Sequence, residues 1–296
     1  MPRHLSIAAA LLVAAALSSA HAAEGWRYGI SADAMVDDNV TRGLYDADVE
    51  SDSILSVEGS AVRSVLLGPR SGAVFRGAAR YSQFVTFSDL SNLALSGRAA
   101  WRTQPGLNFS SPIFEVAGNL VWLQHSDSEL RDGTIATIEG SVGSHVTDRV
   151  RLGAGVAWDT RNGGDPGRPG EVAIYDMDNT RFWASLDYRF GTRNTAYARL
   201  TQVSGDQVFN SVTVGGLSGA WATDPAFAEE LGRPTDSYRV DASTLIYELG
   251  VNLPFAGGHA LDFLLSGYSA KAEEGPQSGN KYSGTIVRAT YFYRFQ

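Results

Sequence analysis

The stretch from Tyr282 to Phe295 constrains the fold of this chain more than any other. A β-strand places alternate side chains on opposite faces, and here one face is apolar while the other is polar and cationic. The apolar face consists of Val287, Ala289, Tyr291, Tyr293 and Phe295, and the polar face of Arg288, Thr290 and Arg294, with Phe292 as the exception. This pattern favours a strand with lipid outside and a polar enclosed interior, and with aromatic residues at the membrane interface.

The same alternation recurs along the chain, which predicts an all-β fold. We expect a single transmembrane, antiparallel, up-and-down β-barrel of about twelve strands. The predicted strands cover residues 26–36, 53–66, 73–84, 92–103, 113–125, 134–146, 150–159, 180–190, 195–203, 238–252, 260–269 and 282–295. A soluble two-sheet sandwich would also alternate, but it would not place Trp and Phe repeatedly at strand ends on the apolar face.

The start of the chain predicts an export signal. A cationic start, Arg3-His4, is followed by the apolar run 7–17 and by Ala20-His21-Ala22, which has the Ala-x-Ala cleavage pattern. We therefore expect residues 1–22 to be a signal peptide and 23–296 to form one barrel domain. The formal charge of −8 argues against nucleic acid as a partner, and the absence of Cys excludes disulfides.

The connections alternate in length, as expected for short periplasmic turns and long extracellular loops. The longest predicted loop covers residues 204–237 and contains a helix signal, because Asp224 can cap a helix, Pro225 suits its first position and Gly232 its end. Such a helix could fold into the barrel mouth as a gate or plug, or lie outside as a flap. Both alternatives remain open from the sequence.

Charged residues on the strand faces that point to the barrel interior are the candidate pore-lining residues. Arginines gather near the predicted periplasmic strand ends, which suggests a cationic constriction that favours anionic solutes. The alternative is an interior filled by arginine–carboxylate networks. The candidates are Arg27, Arg76, Arg80, Arg98, Arg102, Arg151, Arg189, Arg294, Glu58, Glu115, Glu139 and Asp187, and Arg63 and Arg199 belong to the same group of arginines.

Other polar clusters give weaker predictions. The acidic stretch 37–52 offers clustered oxygen atoms, but it lacks the spacing of an EF-hand loop, so we interpret it as a solvated loop rather than a Ca²⁺ site. His125 is followed by Ser126 and Asp127, yet no hydrolase motif is present. We therefore predict neither an enzyme nor a bound cofactor or metal.

The signal peptide, the alternation and the Tyr291–Phe295 end resemble Gram-negative outer-membrane β-barrels of the porin-like class, which typically finish on an aromatic residue. The stretch Asp38–Arg42 is similar to a feature of uncharacterised proteobacterial barrels and of the barrel part of surface-lipoprotein assembly modifiers. The resemblance implies an outer-membrane location, contacts with lipid and lipopolysaccharide, and recognition of the C-terminal strand by the barrel assembly machinery. It implies a passive channel for small hydrophilic solutes, with a closed barrel used as a surface scaffold or assembly factor, or an outer-membrane lipid hydrolase, as alternatives.

Overall fold

The computed structural model describes residues 25–43, 45–165, 171–211, 220–227, 231–232, 235–274 and 278–295. The predicted signal peptide lies outside the described residues. The strands are β1 (Trp26–Asp37), β2 (Asp52–Gly68), β3 (Ser71–Phe84), β4 (Asn92–Thr103), β5 (Ile113–His125), β6 (Gly133–His145), β7 (Val150–Asn162), β8 (Met177–Phe190), β9 (Asn194–Ser211), β10 (Ala220–Asp224), β11 (Thr235–Pro254), β12 (His259–Ala272) and β13 (Lys281–Arg294).

Twelve of these strands close into a barrel. Each pairs antiparallel with the next along the chain, except that β9 pairs directly with β11, and β13 pairs with β1 to complete the ring. The predicted all-β, up-and-down barrel of about twelve strands is therefore confirmed. Closure removes the free edges that an open sheet would expose, so every strand of the ring finds a partner on both sides.

The extra strand, β10, does not belong to the ring. It pairs with residues 235–239 of β11, whereas β12 pairs with residues 242–254. Because β9 occupies the opposite edge of β11 along residues 236–252, β10 must continue the line of β12 beyond the ring. The predicted loop 204–237 is thus wrong in part, since its first eight residues extend β9 and its middle contains β10.

The two faces of the barrel wall differ as the alternation predicts. Outward-facing apolar side chains are exposed, as in Val116 and Leu120 on β5 and Phe182 and Leu186 on β8. Inward-facing side chains are mostly polar or small, including Ser31, Asp33 and Ser56. An exposed apolar belt of this extent around a polar interior is the arrangement of a barrel surrounded by lipid.

The two ends of the barrel also differ. At the short-turn end the connections include residues 69–70, 146–149 and 191–193, while at the long-loop end they include 38–51, 163–176 and 273–280. Short 3-10 helices occur at Asp46–Asp48, Ser88–Leu90, Glu129–Arg131 and Pro225–Phe227 at the long-loop end, and at Ala256–Gly258 at the other. Among the described residues, no helix is long and apolar enough to cross a membrane.

Candidate channel interior and its covered mouth

Arginine–carboxylate pairs line the interior on the β1–β8 side. Arg80 Nη2 lies 2.9 Å from Asp33 Oδ1, and Arg76 pairs with Glu58 on the neighbouring strand. Arg98 Nη2 lies 2.5 Å from Glu115 Oε1, and Arg102 pairs with the other oxygen of the same carboxylate. One carboxylate thus contacts two arginines in the interior.

The pairs continue around the wall from β6 to β8. Arg98 Nη1 also approaches Glu139 Oε2 at 4.0 Å, and Arg151 Nη1 lies 3.6 Å from Asp187 Oδ2. Arg181 Nη2 donates to Asp159 Oδ1 at 2.8 Å, a pair that the sequence interpretation did not single out. Small residues lie beneath these long side chains, with Ala117 and Ala157 almost completely buried.

Three of the candidate arginines lie at the rim of the short-turn end. Arg27 donates to Ser64 Oγ at 3.2 Å, and Arg189 and Arg294 are exposed with no acidic partner among the described residues. Arg63, on the same rim, faces outward, and its guanidinium lies 5.9 Å from the centre of the Trp26 ring. The short-turn end of the interior therefore carries an excess of positive charge.

Water reaches the interior from the short-turn end. The inward-facing side chains of Arg76 and Arg102 are 48% and 53% exposed. Towards the long-loop end the inward-facing residues are buried, among them Asp37, Thr244 and Ser266. The interior is thus a vestibule that opens at one end and is covered at the other.

The cover is built from connections that cross the mouth. We call it the loop cap and define it as the described residues of 38–51, 85–91, 126–132, 171–176 and 220–227. Phe227, after β10, contacts Phe87 in the β3–β4 connection with ring centres 5.5 Å apart. In the ring, β4 and β11 are separated by β5–β9 on one side and by β12, β13 and β1–β3 on the other, so this contact spans the mouth.

A buried ionic cluster holds the same part of the loop cap. The carboxylate of Asp224 is 0% exposed, and its Oδ2 lies 2.8 Å from Arg131 Nε and 2.9 Å from the Tyr175 hydroxyl. Burial alone would lower the pKa of the Arg131 guanidinium, but Asp224 and Tyr175 more than offset this and raise it. Burial raises the pKa of Tyr175, so its hydroxyl remains protonated and donates to Asp224.

The predicted helix start at Asp224 is found among the described residues. Asp224 Oδ1 accepts a hydrogen bond from the Ala226 backbone N–H at 3.0 Å, and a 3-10 helix covers Pro225–Phe227. Residues 228–230 lie outside the described part. Phe227 is completely buried, and the Arg131 guanidinium lies 5.0 Å from the centre of its ring. This segment packs inside the mouth, which favours the gate or plug over the external flap.

The β1–β2 connection crosses the mouth to β9. Ser211 Oγ donates a hydrogen bond to Asp48 Oδ2 at 3.1 Å, and Gly43 forms a β-bridge with Asn210. Arg42 has a positive φ of 54°. Its Nη2 lies 2.8 Å from Asp37 Oδ2. Burial alone would lower the pKa of the Arg42 guanidinium. The pKa is nevertheless raised, mainly by the negative charge of Asp37.

Our prediction that the acidic stretch 37–52 is a solvated loop is therefore wrong, because several of its carboxylates are buried. Asp37, Asp48 and Asp52 are buried, and Asp52 accepts backbone N–H groups from Ser53, Thr86 and Phe87. Carboxylates can be buried when charge and hydrogen bonds compensate them, as these are. Among the described residues, no group of His, Cys, Asp and Glu side chains could hold a metal ion.

The stretch Asp38–Arg42 owes its composition to this packing. Asp38 Oδ1 accepts from the Thr285 backbone N–H at 2.6 Å, and Asn39 Nδ2 donates to the Ser283 carbonyl at 2.9 Å. Thr41 Oγ1 donates to the Asp48 carbonyl at 2.6 Å. These residues tie the first connection to β13, so the motif has a structural role.

His125 does not form a hydrolase site in the described structure. Its Nδ1 lies 3.2 Å from Asp132 Oδ1, which orients the ring. Ser128 Oγ instead donates to Asp224 Oδ1 at 3.3 Å, inside the loop cap. Among the described residues, no serine hydroxyl is hydrogen-bonded to the imidazole, so a nucleophile–base pair is not assembled.

The fold and its polar interior define the protein as a twelve-stranded barrel of the outer-membrane type. No protein-family model and no curated protein sequence matches the chain. The COG4313 outer membrane channel from Pseudomonas putida F1 is similar in structure, with a TM-score of 0.59, 11% identity, and coverage of 92% of this chain and 96% of the channel. This similarity confirms the expected resemblance at the level of the fold.

Two autotransporter barrels are more distant in structure. The β domain of the Bordetella autotransporter BrkA has a TM-score of 0.47 and 10% identity, with coverage of 92% of this chain and 100% of that domain. The translocator domain of NalP from Neisseria meningitidis has a TM-score of 0.44 and 12% identity, with coverage of 99% and 96%.

Proposed function

We propose that the protein is an outer-membrane channel through which small hydrophilic solutes diffuse, and that the loop cap closes its outer mouth in the conformation described. The observation that carries this proposal is the hydrated, charged vestibule inside a barrel with an apolar outer belt. A filled structural core would not need arginines half exposed to water in its interior. The similarity in fold to an outer membrane channel supports the same conclusion.

The orientation follows from the lengths of the connections. Short turns face the periplasm and long loops face the outside in barrels of this kind. The vestibule then opens to the periplasm, and the loop cap lies at the cell surface. In this setting the apolar belt contacts outer-membrane lipid, the loops adjoin lipopolysaccharide, and β13 is the strand that the barrel assembly machinery would recognise.

The excess of arginine at the short-turn end favours anions among the solutes. Fixed positive charge near a narrow entrance raises the local concentration of anions and repels cations. Arg27, Arg189 and Arg294 supply this charge at the rim. The paired arginines further inside contribute polarity rather than net charge.

A second candidate function is a closed barrel that serves as a surface scaffold or assembly factor. The loop cap is the observation that favours it, since the mouth is covered by contacts from several connections. The lipid hydrolase remains the least supported alternative, because the described contacts of His125 lack a nucleophile.

Planar bilayer recordings separate the two candidates. We expect the wild-type protein to give stepwise currents, and the Asp224→Asn variant, which weakens the loop cap, to open more often. Arg151→Gln, at the open end, is the matched control and should leave the frequency of opening unchanged. If neither wild type nor Asp224→Asn carries current above background, the channel is excluded in favour of the closed barrel.

A further inference from the structure

One arginine inside the barrel differs from the paired arginines of the β1–β8 wall. Arg199, on β9, lies with its guanidinium carbon 4.4 Å from the centre of the Trp183 ring on β8. It forms no ion pair among the described residues, although Glu248 is its direct partner in the β9–β11 register. By contrast Arg80, Arg98 and Arg181 each pair with a carboxylate.

The Trp183 ring lies against the barrel wall. Gly155 on β7 is the register partner of Trp183. A Cβ atom on Gly155 would lie 2.6 Å from Cε2 of the indole, so the lack of a side chain at Gly155 leaves room for the ring. The ring is therefore held between the wall and the guanidinium. An arginine stacked on an aromatic ring keeps its planar set of donors in a fixed orientation.

Two buried N–H donors of the Arg199–Trp183 pair lack hydrogen-bond acceptors. The buried Nε of Arg199 and Nε1 of Trp183 have no hydrogen-bond partner in the described structure. Buried polar atoms are nearly always hydrogen-bonded, so this pair retains donor capacity that the described side chains of the wall do not use. A guanidinium that is oriented, lacks a carboxylate partner and faces an aqueous interior is suited to an oxyanion.

The pair can be reached from the open end. Arg199 lies five residues after the start of β9 at Asn194, on the short-turn side of the barrel. Its side chain is only partly buried. A solute that enters the vestibule would meet this arginine before it reaches the buried residues beneath the loop cap.

We propose that Arg199, positioned by Trp183, is the contact residue of an interior subsite that binds small solutes through a carboxylate or phosphate group. The proposal rests on the proposed channel function for its biological meaning, and it names the class of solute. Arg199 supplies the charge and the paired donors, and Trp183 fixes their orientation.

Binding is measured on the intact, detergent-solubilised barrel by calorimetric titration with glucuronate, with inorganic phosphate as the second oxyanion and glucose as the neutral comparison. We expect glucuronate or phosphate to bind and glucose not to bind. Arg199→Gln should weaken oxyanion binding by about tenfold or more, the range expected for lost hydrogen bonds to a charged group. Arg199→Lys keeps the charge but not the planar donors, and should weaken binding by several-fold.

The matched control is Arg181→Gln, which removes the same charge from β8, opposite Val203 rather than opposite Arg199, and breaks an internal pair. It should change affinity by less than about twofold, because that arginine is already occupied by Asp159. Retention of heat-dependent mobility in detergent gels verifies that each variant is folded. If Arg199→Gln is not folded, the comparison of Arg199→Lys with wild type decides the question.

Equal weakening by Arg181→Gln and Arg199→Gln would overturn the subsite, because the effect would then be one of overall charge. Absence of glucuronate and phosphate binding to the wild type would overturn it as well. The titration does not require conduction, so its outcome is independent of the bilayer recordings. If oxyanions bind through Arg199 but no current is recorded, the proposed channel function is contradicted and the subsite is retained. If current is recorded but no oxyanion binds, the subsite is contradicted and the channel function is retained.

Discussion

Arg131 and Asp224 form a buried ion pair across connections that are distant in the chain, with Nε 2.8 Å from Oδ2. Arg131 follows β5 and Asp224 ends β10, which continues the line of β12 on the other side of the mouth. A pair of this kind fixes which connections meet, because a misplaced partner would leave a charge buried without compensation. It therefore helps to define the closed arrangement of the loop cap.

Asp224→Asn is expected to loosen the loop cap. Removal of one partner from a buried ion pair typically costs about 3–5 kcal/mol, since the remaining charge is left uncompensated. Limited proteolysis of the protein in lipid vesicles should therefore cut the cap faster than in the wild type. Asp187→Asn removes the same charge from the more exposed pair with Arg151 and should leave the cleavage rate unchanged. Identical rates for Asp224→Asn and wild type would refute the role of this pair.

Phe227→Ala is expected to increase local opening of the same segment. Truncation of a fully buried phenylalanine costs about 3–5 kcal/mol, because a cavity remains beside Phe87. Hydrogen exchange of the amides in residues 220–226 should accelerate by about a hundredfold or more if exchange follows local opening. Phe255→Ala, at the short-turn end, is the control and should not affect these amides. Unchanged exchange in Phe227→Ala would show that this side chain does not hold the segment.

Leu120→Arg is expected to destabilise the barrel in a membrane. Leu120 faces outward in the middle of β5 and is 56% exposed, and arginine on the lipid face near the midplane costs about 2–4 kcal/mol. Leu107→Arg, in the β4–β5 turn, places the same charge in water and should cost less than about 1 kcal/mol. Denaturant titration of protein folded into vesicles gives both free energies of unfolding. Equal costs would argue against the membrane-facing belt.

Glu115→Gln is expected to increase anion selectivity if the protein conducts. Glu115 is the shared partner of Arg98 and Arg102, so its neutralisation leaves two interior arginines with less compensation. Bilayer recordings under a salt gradient should show the reversal potential move towards that of the anion. Glu50→Gln removes the same charge from an exposed position in the β1–β2 connection and should have a much smaller effect. A shift of the same size in both variants would place the selectivity outside the interior.

The sequence predicted the ring strands well where they face lipid. Strands such as β5 and β8 must alternate between lipid and water, so Val116, Leu120, Phe182 and Leu186 repeat with the period of a strand. The second half of β9 was missed because Ser204, Gly205 and Asp206 have the composition of a loop. Ser204 and Gly205 pair with Thr180 and Asn179 of β8, and all three residues pair with Asp241–Ser243 of β11, so tertiary pairing overrides local propensity.

The loop cap could be predicted only in outline. Asp224, Pro225 and Gly232 gave a local signal for a turn of helix, because capping is a short-range effect. Neither the pairing of Asp224 with Arg131 nor the burial of Asp52 beneath Thr86 and Phe87 leaves a trace in the spacing of residues. Likewise, the interior alternation places Arg199 on the inner wall, but its stacking on Trp183 depends on the glycine opposite the indole.

The pairing of β13 with β1 has a consequence for how the chain reaches this state. Gly29 is matched with Arg294, so the ring cannot close until residues more than 250 positions apart have met. Contacts of such high sequence separation form late, because the entropy lost in closing a long segment must be overcome first. Until that seam is joined, two rows of backbone N–H and C=O groups lack partners, and they would have to be shielded from lipid.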